Sequence, residues 1–310
     1  MNVAVVDIGS NSTRLLIAGL QDGRITGELV RTTQVTRLGA GVDADGRLRD
    51  DAMQRVYDTL EGYREQIDAH DCRTAVAVLT SAVRDSANGR EFADSVRDRY
   101  GLEPHVLTGD EEARLTFLGA TSERDRTDLT PTLVLDVGGG STEMVIGHGT
   151  EVVFHVSTQA GVVRQTERHL HHDPTDASEL SELAADVRAI LRSAVPEDRR
   201  SSVRRGIGVA GTATSLAAIA QELDPYDPAR VHGHVISARE RERILGLLAP
   251  MDLDQRRRVP GLDPARAPTI VAGVVIFGEV LTLFGLDEME ISEHDILRGA
   301  ALGLTAPASS

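Results

Sequence analysis

The chain has no lysine; all 33 of its basic residues are arginines. A Walker A loop, a protein-kinase phosphate lysine and a pyridoxal Schiff base each need that amine, so all three are excluded. Cysteine is nearly absent as well. With Cys72 alone, neither an intramolecular disulfide nor a cysteine-rich zinc site can form. No run approaches the roughly 18–20 apolar residues of a membrane helix. The N-terminus enters a strand-like run at once, without the regions of a signal peptide. Positive charge is in deficit: 33 basic side chains against 48 acidic ones leave a net −15. That argues against broad binding to a nucleic-acid backbone. A cytoplasmic protein with no nucleic-acid or membrane partner is expected. An anionic ligand would have to be held by a local nest and local arginines against the overall field.

What remains is an ordinary globular composition, 41% apolar over 310 residues, enough for two domains with separate cores. The chain is organised around Leu133-Val-Leu-Asp136-Val-Gly138-Gly139-Gly140-Ser141-Thr142-Glu143-Met-Val-Ile. It reads as an apolar strand, a glycine-rich reversal and a second apolar strand. Three successive glycines permit positive φ and close approach to a ligand. Successive N–H groups in such a turn can form an anion nest. Asp136 and Glu143, one before the turn and one after it, could hold a cation beside that anion. A hairpin with solvated acids explains the stretch equally well by itself. The chain opening repeats the pattern: Val3-Ala-Val-Val-Asp7-Ile-Gly9, then Ser10-Asn11-Ser12-Thr13-Arg14, then an apolar run. Two copies of Asp-x-Gly-x-x-Ser, each opening one half of the chain, indicate a duplicated fold.

Three further places carry candidate chemistry. Ala75 to Leu79 reads as a strand that runs into Thr80-Ser-Ala-Val-Arg84, and Arg84 is a candidate anion clamp. Gly109-Asp-Glu-Glu112-Ala-Arg opens a helix. Acids suit any first helical turn, but Glu112 lies at the junction of the two halves, where a helix start would face the cleft between them. Arg205 to Ser215 contains a literal Gly-x-Gly-x-x-Gly. Its first glycines alternate with Ile207 and Val209, which places them inside the strand. The expected arrangement is a strand ending at Ala210 and a Gly211-Thr212 turn at a helix N-terminus, a third anion-binding place. His169, His171, His172 and Asp173 sit in a polar loop with no second cluster, which favours a solvated loop over zinc. Thr269 to Phe284 is expected to form a core helix.

In order and spacing, Asp7-Ile-Gly-Ser-Asn-Ser, Thr80 to Arg84, Gly109 to Leu115, Asp136 to Glu143 and Gly211-Thr212 resemble the Ppx/GppA (exopolyphosphatase / guanosine pentaphosphate phosphatase) family. The likeness is strongest to its short actinobacterial members. The resemblance implies an α/β protein of two ribonuclease-H-like domains of the actin and sugar-kinase superfamily, with mixed sheets flanking a central cleft. The boundaries expected are 1–119 and 120–310, with the last helix, 296–306, free to pack back on the first domain. The resemblance further implies an exopolyphosphatase, a phosphoric anhydride hydrolase that removes the terminal phosphate of inorganic polyphosphate with Mg²⁺ or Mn²⁺. Longer members add a C-terminal helical domain, so short polyphosphate is the expected substrate for a chain ending near residue 310. Guanosine pentaphosphate hydrolysis, or binding of guanosine penta- or tetraphosphate with little turnover, is the alternative. Carried over by motif, Glu112, Asp136 and Glu143 are catalytic. Asp136, Glu143 and Asp7 hold metal. Ser10, Asn11, Ser12, Thr13, Arg14, Arg84, Gly138, Gly139, Gly140, Ser141, Gly211 and Thr212 bind phosphate. A homodimer is implied too.

Overall fold

Side-chain alternation decides the first strand. In Asn2–Ile8 (β1), Ala4, Val6 and Ile8 enter one apolar cluster while Val3 and Val5 enter another on the opposite face. A strand buried on both faces belongs at the centre of a sheet, and that is where it lies. The computed structural model describes residues 1–304. Its first sheet adds Ser12–Gln21 (β2), Arg24–Val35 (β3), Thr74–Leu79 (β4) and Glu103–Val106 (β5) in the order β3-β2-β1-β4-β5. The strands β1, β2 and β3 form an antiparallel meander, and β4 and β5 join in parallel. The helices Asp50–Ala69 and Gly89–Tyr100 cover one face, and Gly109–Ala120 and Ile296–Gly303 cover the other.

The second sheet contains Thr132–Val137 (β6), Thr142–His148 (β7), Glu151–Thr158 (β8), Arg205–Val209 (β9), Val235–Ser237 (β10) and Glu288–Ile291 (β11), ordered β10-β11-β9-β6-β7-β8. Read from β8, it repeats the first sheet: an antiparallel meander, then two parallel strands. An antiparallel edge strand, β10, is added. Both sheets are ribonuclease-H-like. The second core centres on Ile270–Phe284, the apolar helix expected from sequence, packed against Ala177–Ala194 and Ala238–Leu248.

Two compact units result: residues 1–122 with the segment from Asp295 onward, and Glu123–His294. The final helix, Ile296–Gly303, thus groups with the first unit, where glycines let it lie directly on Gly109–Ala120. A Cβ on Gly299 would stand 1.8 Å from Leu115 O, and one on Gly119 would stand 1.9 Å from Asp295 O. Positions 305 and 306 of the expected last helix lie outside the described residues.

Candidate active site

Both Asp-Gly stretches fold as hairpin loops closed by the same hydrogen bond. Gly9 N–H donates to Ser12 O (3.0 Å), and Gly138 N–H donates to Ser141 O (2.9 Å). A neighbouring segment backs each loop and takes up its carbonyls. In the first unit, Gly39 N–H donates to Ser10 O, and Thr36 and Arg37 N–H donate to Asn11 O. In the second, Val162 N–H donates to Gly138 O and Val163 N–H to Gly139 O, while Arg164 Nε–H donates to Gly140 O. With the carbonyls satisfied from behind, the amides are left. Among the described residues, no acceptor meets the N–H groups of Ser10, Asn11, Gly139, Gly140 or Ser141. Backbone donors without acceptors are costly unless water or a ligand takes them. A cradle of successive N–H groups suits a phosphate.

The glycines serve close approach rather than the positive φ expected of them. Gly138, Gly139 and Gly140 are not among the residues of positive φ. Instead, a Cβ on Gly161 would lie 2.2 Å from Gly140 C and 2.3 Å from Gly139 O. The backing segment reaches the loop because Gly161 carries no side chain there.

The two hairpins differ in the residue that faces the aspartate across the ladder. Asp7 pairs directly across β1–β2 with Arg14, and Asp136 pairs directly across β6–β7 with Glu143. Facing residues in such a pair lie on the same side of the sheet, with Cβ atoms about 5 Å apart. In the first unit a guanidinium answers the carboxylate. Arg14 donates to Asp7 Oδ2 through Nε (2.8 Å) and Nη2 (2.5 Å), and through Nη1 to Asp295 (2.5 Å). Burial raises the Asp7 pKa despite this guanidinium, and its Oδ1 meets no donor among the described residues. Asp295 goes the other way: burial opposes its charge, but Arg14 and Arg31 together hold its pKa below the ordinary value. Asp7, expected to hold metal, is thus paired with Arg14, and Arg14, expected on phosphate, bridges Asp7 and Asp295. In the second unit two carboxylates face each other, and one oxygen of Glu143 accepts from Ser157 Oγ (2.8 Å). Two half-buried acids in register are a pair of hard oxygen donors.

Glu112 comes to lie against Arg84, whose Nη1 donates to its Oε2 (3.2 Å) and to Leu107 O (3.0 Å). The helix end does not consume Glu112, because Glu111 forms the capping box with Thr108. Burial costs Glu111 little beside the Thr108 N–H and hydroxyl, which draw its pKa below the ordinary value. Ser10 Oγ is 3.1 Å from Ser81 Oγ, so the first loop and the turn carrying Arg84 are neighbours.

Two of the residues expected at phosphate bond their hydroxyls within the protein. Thr13 is fully buried and its Oγ1 bonds Thr36 Oγ1 (2.9 Å). Thr212 donates to Val137 O (2.8 Å), tying its helix to β6. Strand β9 ends at Val209 and the helix Ala210–Ala220 follows, while Gly206 and Gly208 pack inside the strand against Met289 and Phe277. Arg266 is a residue that sequence reasoning missed. Its guanidinium lies over Gly211, where a Cβ would stand 1.8 Å from Nη1, and both line a small pocket with Thr212 and Thr269. Among the loop histidines, His169 bonds Asp186 and His172 bonds Glu179, consistent with a structural role.

Two units of one sheet order, each with an Asp-x-Gly hairpin loop, define a duplicated α/β protein. The model of the Ppx/GppA phosphatase family matches residues 16–303, and the chain belongs to that family. Exopolyphosphatase 2 of Mycobacterium tuberculosis is 38% identical over 97% of this chain and 98% of its own length. The crystal structure of the Aquifex aeolicus family member has 30% identity and a TM-score of 0.84, covering 98% of this chain and 97% of that one. An exopolyphosphatase-like protein reaches 35% identity and a TM-score of 0.86 over the same shares.

Proposed function

We propose that this protein is an exopolyphosphatase that hydrolyses the terminal anhydride of short inorganic polyphosphate. The observation that carries the reading is the Asp136–Glu143 pair beside a loop whose carbonyls are tied back and whose Gly139, Gly140 and Ser141 N–H groups meet no acceptor among the described residues. Phosphoryl transfer demands mainly positioning and charge neutralisation, and that loop offers both. The N–H groups of Gly139, Gly140 and Ser141 bind oxygens of the terminal phosphates, and those of Ser10 and Asn11 do the same in the first unit. The donor set of Asp136 and Glu143 fits Mg²⁺ or Mn²⁺. A cation held there would offset the charge on the phosphate oxygens. Glu112 orients the attacking water and accepts its proton, and Arg84 fixes the direction of that carboxylate. We place the protein in the cytoplasm as a homodimer, in keeping with the family resemblance; light scattering tests the dimer.

The experiment is phosphate release from short and long polyphosphate and from guanosine pentaphosphate, in Mg²⁺ or Mn²⁺. Short polyphosphate is expected to be the fastest substrate. Faster release from guanosine pentaphosphate would replace the substrate and keep the chemistry. Binding of these ligands without any release would overturn the hydrolase reading.

A further inference from the structure

The second unit holds a cluster that none of these roles uses. Glu123, His232 and His294 each bring a ligand atom within 4.8 Å of the other two. Glu123 Oε2 is 3.4 Å from His232 Nε2, and Oε1 is 3.9 Å from His294 Nδ1. The imidazoles lie against each other with ring centroids 4.1 Å apart. In a tetrahedral site with bonds of about 2.0–2.1 Å, ligand atoms stand about 3.4 Å from one another. The cluster is therefore within small side-chain movements of that geometry, and it comes from three separate stretches of the chain. We propose that Glu123, His232 and His294 form a binding site for a borderline divalent transition metal such as Zn²⁺, distinct from the hard-oxygen pair Asp136 and Glu143.

Donor chemistry separates the two sites. Two imidazoles and one carboxylate suit zinc and its neighbours and suit Mg²⁺ poorly. The surroundings can also carry the proton bookkeeping. His232 Nδ1 accepts from the Glu293 N–H (3.2 Å), which puts the ring proton on Nε2, towards Glu123. A metal on Nε2 requires the other tautomer. Its Nδ1–H then finds Ser292 Oγ, 3.4 Å away. That hydroxyl donates to His294 O and accepts from His294 N–H, which leaves one lone pair for the ring. Ligation thus shifts one proton across the ring at the loss of the Glu293 contact. A ligating histidine whose second nitrogen donates to an outer partner is the usual arrangement. Glu123 and His294 are the first and last residues of their unit. The ion would therefore fasten together the two points at which the chain enters and leaves it.

Co²⁺ titration of the metal-stripped full chain, followed by visible d–d absorption, tests the site. The wild type and the Asp136→Asn/Glu143→Gln double variant are both expected to give tetrahedral Co²⁺ bands that one equivalent of Zn²⁺ removes. Glu123→Ala and His232→Ala should weaken the binding by more than about 100-fold, beyond what loss of an outer-shell partner alone costs. The Glu123 side chain is 56% exposed, so Glu123→Ala should keep its circular dichroism and serve as the variant secure against misfolding. Zn²⁺ should raise the melting temperature of the wild type but not of Glu123→Ala. Absence of the bands in the wild type, or equal affinity in Glu123→Ala, would overturn the proposal. Loss of the bands in the double variant alone would assign the metal to the phosphate-site acids and overturn it too. None of these outcomes depends on catalytic turnover.

Discussion

Adjacent acids in the helix start at Gly109 have divergent duties. Glu111 closes the capping box, whereas Glu112 turns to Arg84. Glu111→Gln should cost about 1 kcal/mol of stability or less and leave turnover near wild type. Glu112→Gln should lower turnover by about 10²–10⁴-fold with little change in melting temperature. Phosphate release and thermal melts on the two variants check the pair, and equal effects would remove the distinction. Arg14 gives a second contrast. Replacing it by Ala strands Asp7, which is 3% exposed, and leaves Asp295, which is 4% exposed, with Arg31 as its guanidinium partner. A loss of about 3–5 kcal/mol in urea unfolding is expected. A variant as stable as wild type would return Arg14 to the phosphate roles. Sequence resemblance gave Asp7 the metal-holding duty of its second-unit counterpart Asp136, because a motif does not record which side chain faces which across a ladder. The register does, and it sets Arg14 opposite Glu143 in role.

At the level of elements, each hairpin loop works because another segment holds it from behind. Gly161→Ala would drive a methyl into Gly139 and Gly140, whereas a Cβ on Gly140 meets nothing within 4 Å. Gly161→Ala should therefore weaken phosphate binding and turnover by at least about tenfold, a change of about 1.4 kcal/mol, and Gly140→Ala should be better tolerated. Calorimetric titration with short polyphosphate checks the order, and the reverse order would contradict the packing. The helix Ala177–Ala194 makes a separate claim. Burial of Glu179 would raise its pKa, but His171 N–H, the His172 ring and Asp176 N–H outweigh burial and bring it down to about 2. The same contact raises the pKa of His172. A depressed carboxylate stabilises the fold above its unfolded value of 4.5 and loses that contribution as pH falls through about 2. The histidine's smaller share fades as pH rises through its raised value. Glu179→Gln should thus be most destabilising near about pH 5.5, by about 1–3 kcal/mol, with the gap closing in acid. Melts across pH check this, and a gap independent of pH would refute it. Strand–loop–strand elements were legible because apolar runs flank Asp-Gly on both sides. The segment around Gly161, the Arg266 guanidinium and the Glu123–His232–His294 cluster were not, since each meets its partner through contacts distant in sequence.

Across the whole molecule, one fold is used twice, and the residue facing the loop's aspartate across the ladder is changed. Both units share the order of meander and parallel strands, the closing hydrogen bond and the carbonyls tied from behind. They differ where Arg14 stands in one and Glu143 in the other. The duplication could be read from the repeated Asp-x-Gly-x-x-Ser, and the grouping of the last helix with the first unit rests on Gly119 and Gly299, whose meaning emerges only once the helices touch. The central claim is that the second copy holds a cation that the first copy replaces with an arginine. Phosphate release from short polyphosphate, measured against Mg²⁺ concentration for wild type, Asp136→Asn and Glu143→Gln, tests it most directly. The wild type should lose activity in chelator and regain it with Mg²⁺ or Mn²⁺, while both variants fall by more than about 100-fold and need more metal for what remains. Variants that keep the wild-type rate and the wild-type metal requirement would contradict the account.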